Sequence, residues 1–404
     1  MPAIGYDPHD AATRTNPWPL YQLLRDEAPV LHMAPNGADG EEFYVLSRYD
    51  DVVMALRDNK RFSSHIRRGD FLDMPVLVNR DAPDHTRLRR VTNRALGPRV
   101  INPLTEWLQS VVDDLIKELL QEPEVEFVDR FTSTLPIRVV GGMLGFPPDR
   151  KADMMRWSRA VFEVFAVAGG TDPEQFPGFY EDFMALVNCV DQLASERVGC
   201  PHRGDILSDL AARESSGDVS HDELVGLGWS MLAAGSETTM YLLSGCMEML
   251  LRDRALAERL TADPDRTEDL MNEYLRLYSP QQWVIRRANA DIELHGTVIP
   301  EGSIVHLVLG AANRDPRQFP DPDVFDLDRP NKDDHMAFGG GRHFCPGSSL
   351  AQMVAGLAFR SLYQHLGRFS LDSTRPPRLR SGGPGNYGIE HMGVLISTPT
   401  AATC

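Results

Sequence analysis

Cysteine is scarce in this 404-residue chain and never paired in sequence: Cys189, Cys200, Cys246, Cys345 and Cys404 include no Cys-x-x-Cys. That spacing excludes the usual zinc and dithiol sites, and isolated thiols of this kind stay reduced in a reducing compartment. Cys189, Cys200 and Cys246 read as small hydrophobes. Positive charge is also in deficit. With 41 Lys and Arg against 58 Asp and Glu, the formal net charge of -17 removes any sequence-independent affinity for nucleic acid or an anionic membrane, since both need an accumulated positive field. Residues 1–18 carry Asp7, Asp10 and several prolines but no apolar run, which predicts neither signal peptide nor membrane anchor and places the protein in the cytoplasm.

One segment, Leu224 to Leu251, is apolar enough to suggest a membrane span, but Glu237 sits at its centre and Glu248 follows. Charge at mid-bilayer costs ~3 kcal/mol or more, so a buried central helix is the better reading. A carboxylate inside such a helix then needs a reason. Ser220, followed three residues later by Glu223, is a capping-box pattern that starts this helix over 221–252. Helical periodicity also runs through roughly 19–28, 102–121, 178–197, 266–278 and 348–365, whereas strand signals are confined to 42–46, 292–294 and 303–308. No repeat, low-complexity tract or Gly/Ser linker divides the chain. The pattern predicts a mainly α protein with small β-sheets, folded as one domain over residues 1–404.

The segment Phe338-Gly339-Gly340-Gly341-Arg342-His343-Phe344-Cys345-Pro346-Gly347 surrounds one cysteine with a backbone able to fold tightly beneath a large planar group. A thiolate is a strong anionic ligand for haem iron and favours O–O cleavage on the opposite side. Backbone N–H groups near Gly347 to Leu350, at the start of a helix, would stabilise the negative sulfur. On the long helix, Ala234-Gly235-Ser236-Glu237-Thr238-Thr239 sets an acid and an alcohol beside a small residue. Gly235 would let a flat cofactor and a diatomic ligand approach, and Thr238 can hydrogen-bond back to the carbonyl of Ala234, loosening the helix locally. Splitting an O–O bond requires protons. Glu237 can supply them and Thr238 can position them, with Ser236 and Thr239 as second-line groups.

The spaced residues Phe-x-x-Gly-x-His-x-Cys-x-Gly resemble the haem-binding loop of the cytochrome P450 family, and the hexapeptide on the long helix resembles that family's oxygen-activation motif, with Glu where many members carry Asp. The resemblance implies the triangular cytochrome P450 fold, with haem b buried between the long central helix and the cysteine loop. It implies Cys345 as axial thiolate and metal ligand, Phe338 packed near the ring, and His343 reaching a propionate. His85 and Arg89, four residues apart on one helix face with Thr92 and Leu96, match the family's propionate-binding helix. Arg286 resembles the other propionate arginine, although adjacent Arg287 leaves the register open. Glu273, Arg276 and Arg329 resemble a structural ion cluster. One departure is Gln352, where the family often has arginine.

The function implied is a monooxygenase that inserts one atom of O2 into a small apolar or aromatic substrate. A haem-thiolate gas or redox sensor and a peroxide-driven peroxygenase or isomerase are the rival readings, and the Glu237–Thr238 pair speaks against the sensor. The substrate pocket is expected to draw on Ile66 to Val78, Val161 to Val167, Gln281 to Ile285 and Asn386 to Ile389, which supply Phe71, Phe162, Phe165, Val284 and Ile285. Arg67 and Arg68 read as a solvated loop. The chain has no Gly-rich nucleotide fingerprint and no cysteine cluster, so electrons are expected from a ferredoxin-type donor with a separate reductase. Arg87, Arg90 and Arg94 share the helix side opposite His85 and Arg89 and form an expected basic docking stripe. A monomer is expected.

Overall fold

In the computed structural model, which describes residues 4–8, 10–34, 42–66, 76–168, 173–200, 203–380 and 385–398, a helix spanning His221–Arg252 forms the central element. Ser220 Oγ accepts from the Glu223 N–H at 3.2 Å and Glu223 Oε2 accepts from the Ser220 N–H at 2.9 Å, so the capping box forms reciprocally. The helix stops where Asp253 leaves helical geometry and caps the next helix, Arg254–Ala262, through the Leu256 N–H. The predicted helices are present as Trp18–Glu27, Thr105–Leu119, Phe179–Ser195, Thr267–Tyr278 and Ser348–Tyr363.

The main core wraps the long helix. Thr134–Leu144, Lys151–Ala168 and Phe179–Ser195 pack on it, as do Thr267–Tyr278 and Ser348–Tyr363. Two of its glycines are explained by close neighbours. A Cβ at position 235 would lie 2.9 Å from Val140 Cγ2, and one at position 245 would overlap the Tyr274 ring. Gly235 therefore admits a packed helix at this point and also lines the central cavity.

A five-stranded sheet runs in spatial order Val30–Met33, Phe43–Leu46, Ile304–Leu307, Val284–Ala288 and Phe62–Ser63. Phe43–Leu46 and Ile304–Leu307 are parallel neighbours and the other pairings are antiparallel. Strand alternation separates the two arginines: Arg286 turns inward and is buried, while Arg287 is exposed. Ile292–Leu294 pairs with Thr297–Ile299 in a separate hairpin. Near the C-terminus, Arg378–Leu379 pairs with Ile389–His391, and this hairpin lies against the long helix, where Ser244 Oγ donates to the Ile389 carbonyl at 3.1 Å.

The Glu273 cluster is fully buried. Its carboxylate pairs with Arg276 at 2.7 Å and Arg329 at 2.9 Å and also accepts the Asp326 N–H. Arg276 and Arg329 donate further N–H groups to backbone carbonyls of the loop 313–324, so the cluster fixes that loop. Gln352, the departure noted in sequence, donates to Asn272 Oδ1 at 3.1 Å.

Candidate functional site

Cys345 and the acid-alcohol helix face one another across a cavity of about 400 Å³. The Cys345 N–H donates to the Phe338 carbonyl at 2.9 Å and closes the loop. Gly339 and Gly341 have positive φ of 69° and 62°, and a Cβ on Gly341 would collide with the Leu56 carbonyl of the helix Tyr49–Arg57. The glycines thus let the loop turn back onto that helix. Burial pushes the Cys345 thiol up, while the Gly347 and Ser348 N–H groups and the Arg89 charge act to lower it. Those donors sit at the N-terminus of Ser348–Tyr363, as the sequence suggested. A soft cation at the sulfur would stabilise the thiolate and reverse the effect of burial.

The polar side of the cavity is built from Arg89, Arg286 and His343, with His85 next to His343. His85 and Arg89 come from the helix Asp84–Ala95, Arg286 from the sheet, and His343 from the cysteine loop. The His85 and His343 rings lie 4.1 Å apart between centroids. Nε2 of buried His85 has no hydrogen-bond partner among the described residues. Arg286 is buried and donates Nη1 only to the Ile285 carbonyl, at 2.7 Å, and Arg89 donates to the Phe344 carbonyl. Burial lowers Arg286 to about 10 and, with the neighbouring cations, His343 to about 3. Two guanidinium groups without a carboxylate partner among the described residues, beside an orphaned imidazole nitrogen, fit a ligand that carries carboxylates. Together with the thiol and the apolar slot they suit haem.

Thr238 Oγ1 donates to the Ala234 carbonyl at 2.9 Å, the back-bond anticipated from sequence. Ala234, Gly235, Thr238 and Thr239 line the cavity. Glu237 does not. It turns toward Tyr241 and Arg380, which the sequence reading did not single out, and toward Asn386, which it had placed in the pocket wall. Tyr241, one helical turn on, was within reach of a sequence argument, whereas Arg380 and Asn386 arrive on the C-terminal hairpin.

Above the cysteine the wall is apolar, with Val76, Leu77, Phe162, Leu227, Met231 and Val284 prominent. Phe162 and Val284 were anticipated. Leu227 and Met231, on the long helix, were not, and nor were Val139 and Val140. Ile285 and the segment Asn386 to Ile389 were expected in the wall but do not line the cavity, because Asn386 is drawn to Glu237 and Ile389 packs in the core. Arg67, Arg68, Phe71 and the Phe165 side chain lie outside the described residues. The basic stripe needs a larger correction: Arg87 is held by Glu223 and Asp84 and by the Asp218 carbonyl, which leaves Arg90 and Arg94 as its exposed members.

No described helix is long and apolar enough to cross a membrane. A Cytochrome P450 family model matches residues 195–384. Cytochrome P450 107B1 of Saccharopolyspora erythraea is 32% identical over 379 residues, covering 89% of each chain. The beta-dihydromenaquinone-9 omega-hydroxylase of Mycobacterium bovis is 31% identical over 392 residues, covering 93% of this chain and 76% of its own. The crystal structure of CYP109E1 from Bacillus megaterium in complex with testosterone superposes with a TM-score of 0.85 at 26% identity, over 96% of this chain and 100% of that one.

Proposed function

The chain belongs to the cytochrome P450 family of haem-thiolate monooxygenases, and from that premise we propose that it inserts one atom of O2 into a small apolar or aromatic compound. The observation that carries this reading is the placement of Cys345 and Thr238 on the same cavity beneath apolar walls. When bound, haem b supplies the redox chemistry that reduces and splits O2. Cys345 would hold its iron, and Phe338 would pack beside the ring. His85, Arg89, Arg286 and His343 would bind its propionates, which would give the orphaned His85 nitrogen a partner and offset the charge of the two arginines.

Glu237 supplies protons and the Thr238 hydroxyl places them, through water, at the cavity. The back-bond from Thr238 to Ala234 fixes the threonine rotamer so that its hydroxyl oxygen stays free to accept. The apolar wall excludes bulk water and selects an uncharged substrate by desolvation. Two of the similar proteins carry names of apolar ligands, a menaquinone derivative and testosterone, and the apolar character of these walls suits that class. Electrons come from a separate ferredoxin-type donor with its own reductase, in the cytoplasm, to a monomeric enzyme of one domain.

Turnover of a neutral apolar compound panel, first selected by shifts of the haem absorbance, tests the proposal. Product that depends on NADH, ferredoxin and reductase supports it. Product formed only with added peroxide, or binding without any turnover, would replace it with the peroxygenase or the sensor reading.

A further inference from the structure

Glu237 is held on every side by groups that the oxygen chemistry does not require. Its Oε1 accepts from Tyr241 Oη at 2.7 Å and pairs with Arg380, and its Oε2 accepts from Asn386 Nδ2 at 3.2 Å. Arg380 also donates to Tyr241 Oη at 2.9 Å, so acid, phenol and guanidinium form a closed ring. All of this is out of water: the side chains of Arg380 and Glu237 are 5% and 10% exposed. Arg380 and Asn386 belong to one C-terminal unit. The Arg380 N–H donates to the Gly388 carbonyl at 3.0 Å, and Asn386 forms an antiparallel bridge with Gln281, a residue of the cavity lining. The spacing of this unit from the helix is fixed sterically, since a Cβ on Gly388 would overlap the Tyr241 ring.

We infer that Arg380 and Asn386 are positioning residues for Glu237, an assignment that rests on the reading of Glu237 as proton source. A carboxylate in an apolar helix bundle has two cheap escapes, taking up a proton for good or rotating toward whatever polar space is near. The buried cation closes the first and the pair of donors on opposite oxygens closes the second. Burial lowers Arg380 only to about 10, so it remains a cation at neutral pH. The other charges that act on Arg380 are Arg14 and Arg159, of which Arg159 pairs with Glu163 at 3.1 Å and with Glu390 at 3.2 Å. Asn386 adds a connection to the pocket: through Gln281, the wall that meets substrate and the group that orients the acid are neighbouring residues of one bridge.

The test uses the holoenzyme with its redox partners and measures kcat, the fraction of NADH that ends in product, the solvent deuterium isotope effect on kcat, and the substrate-induced absorbance shift. Arg380→Met is expected to lower kcat about tenfold, less than the ~10²–10⁴-fold that a positioned acid-base group contributes, because the acid itself remains. It should also enlarge the isotope effect and divert electrons to hydrogen peroxide, with the substrate Kd from the absorbance shift unchanged. Arg380→Lys should recover most of the loss. Asn386→Ala, which removes one neutral hydrogen bond and keeps the ion pair, should give a smaller loss of the same kind, and serves if the methionine variant does not fold. Glu237→Gln combined with Arg380→Met should be no worse than Glu237→Gln alone. If Glu237→Gln impairs coupling but the Arg380 and Asn386 variants leave coupling and isotope effect untouched, the positioning role is overturned while the acid keeps its own. If Glu237→Gln itself changes nothing, the reading of Glu237 falls and the inference with it.

Discussion

Arg87 grips Glu223, the residue that caps the long helix, and so joins the helix Asp84–Ala95 to the start of His221–Arg252. Both partners are partly shielded, with side chains 37% and 13% exposed, and Glu223 is held below the usual carboxylate range chiefly by the Arg87 contact. The consequence is a division of labour along one cationic helix. Arg87→Glu would set two carboxylates against each other and is expected to cost ~1–2 kcal/mol, read as a lower thermal midpoint. Arg90→Glu with Arg94→Glu should leave that midpoint in place, slow reduction by an acidic ferredoxin and flatten its salt dependence. Stopped-flow reduction at several ionic strengths checks this, and an unchanged rate and slope would place the docking surface elsewhere.

Cys345→Ser is expected to abolish the red-shifted absorbance band of the reduced carbon monoxide complex, because an alkoxide or alcohol is a poor substitute for a soft thiolate ligand. The Cys345 N–H to Phe338 contact is made by backbone and should survive, so the variant should still fold. Persistence of the band would show that another group ligates the iron.

How much of this was legible in the sequence follows from the distance over which each interaction acts. The long helix declares itself through Ser220 and Glu223, three residues apart, and Thr238 reaches Ala234 within one turn. The loop around Cys345 is contiguous. By contrast, Thr134–Leu144 escaped the periodicity because it is buried on nearly all faces and carries Pro136 inside it, so no apolar stripe stands out. The cage around Glu237 joins residues 149 positions apart at Asn386, and no local pattern signals that. Arg87's pairing was hidden for the same reason: helix geometry gave the stripe's side, but Glu223 lies 136 residues away and removes one cation from solvent.

Thr238→Ala should leave haem content and substrate binding nearly unchanged and divert reducing equivalents into hydrogen peroxide, since O2 would still be reduced but protonated at the wrong place. Glu237→Gln should slow the proton-dependent step about tenfold or more. The two variants therefore separate in one assay, in which NADH consumption, peroxide and product are followed together. Full coupling in both would remove the pair from proton delivery.

His335 makes stability depend on pH with a sign that can be stated in advance. Its ring is buried between the Glu273 cluster and Phe338, its Nδ1 accepts the Ala337 N–H at 3.2 Å, and burial pulls it down to about 4, against a smaller opposing effect of Asp333. Arg276 and Glu273 are the other charges that face it, and they act in opposite directions. In the unfolded chain an imidazole titrates near ~6.5. Between these values the unfolded state binds more protons than the folded one, so the folded state's advantage is complete above ~6.5 and is lost as the pH falls toward about 4. The full effect is at most ~3 kcal/mol. His335→Gln keeps an acceptor for the Ala337 N–H and cannot be protonated in this range. Denaturant midpoints of the holoenzyme, followed by far-ultraviolet circular dichroism between pH 7.5 and 5, should fall more steeply with acid in the wild type than in the variant. Parallel slopes would mean that the buried imidazole contributes nothing to acid sensitivity.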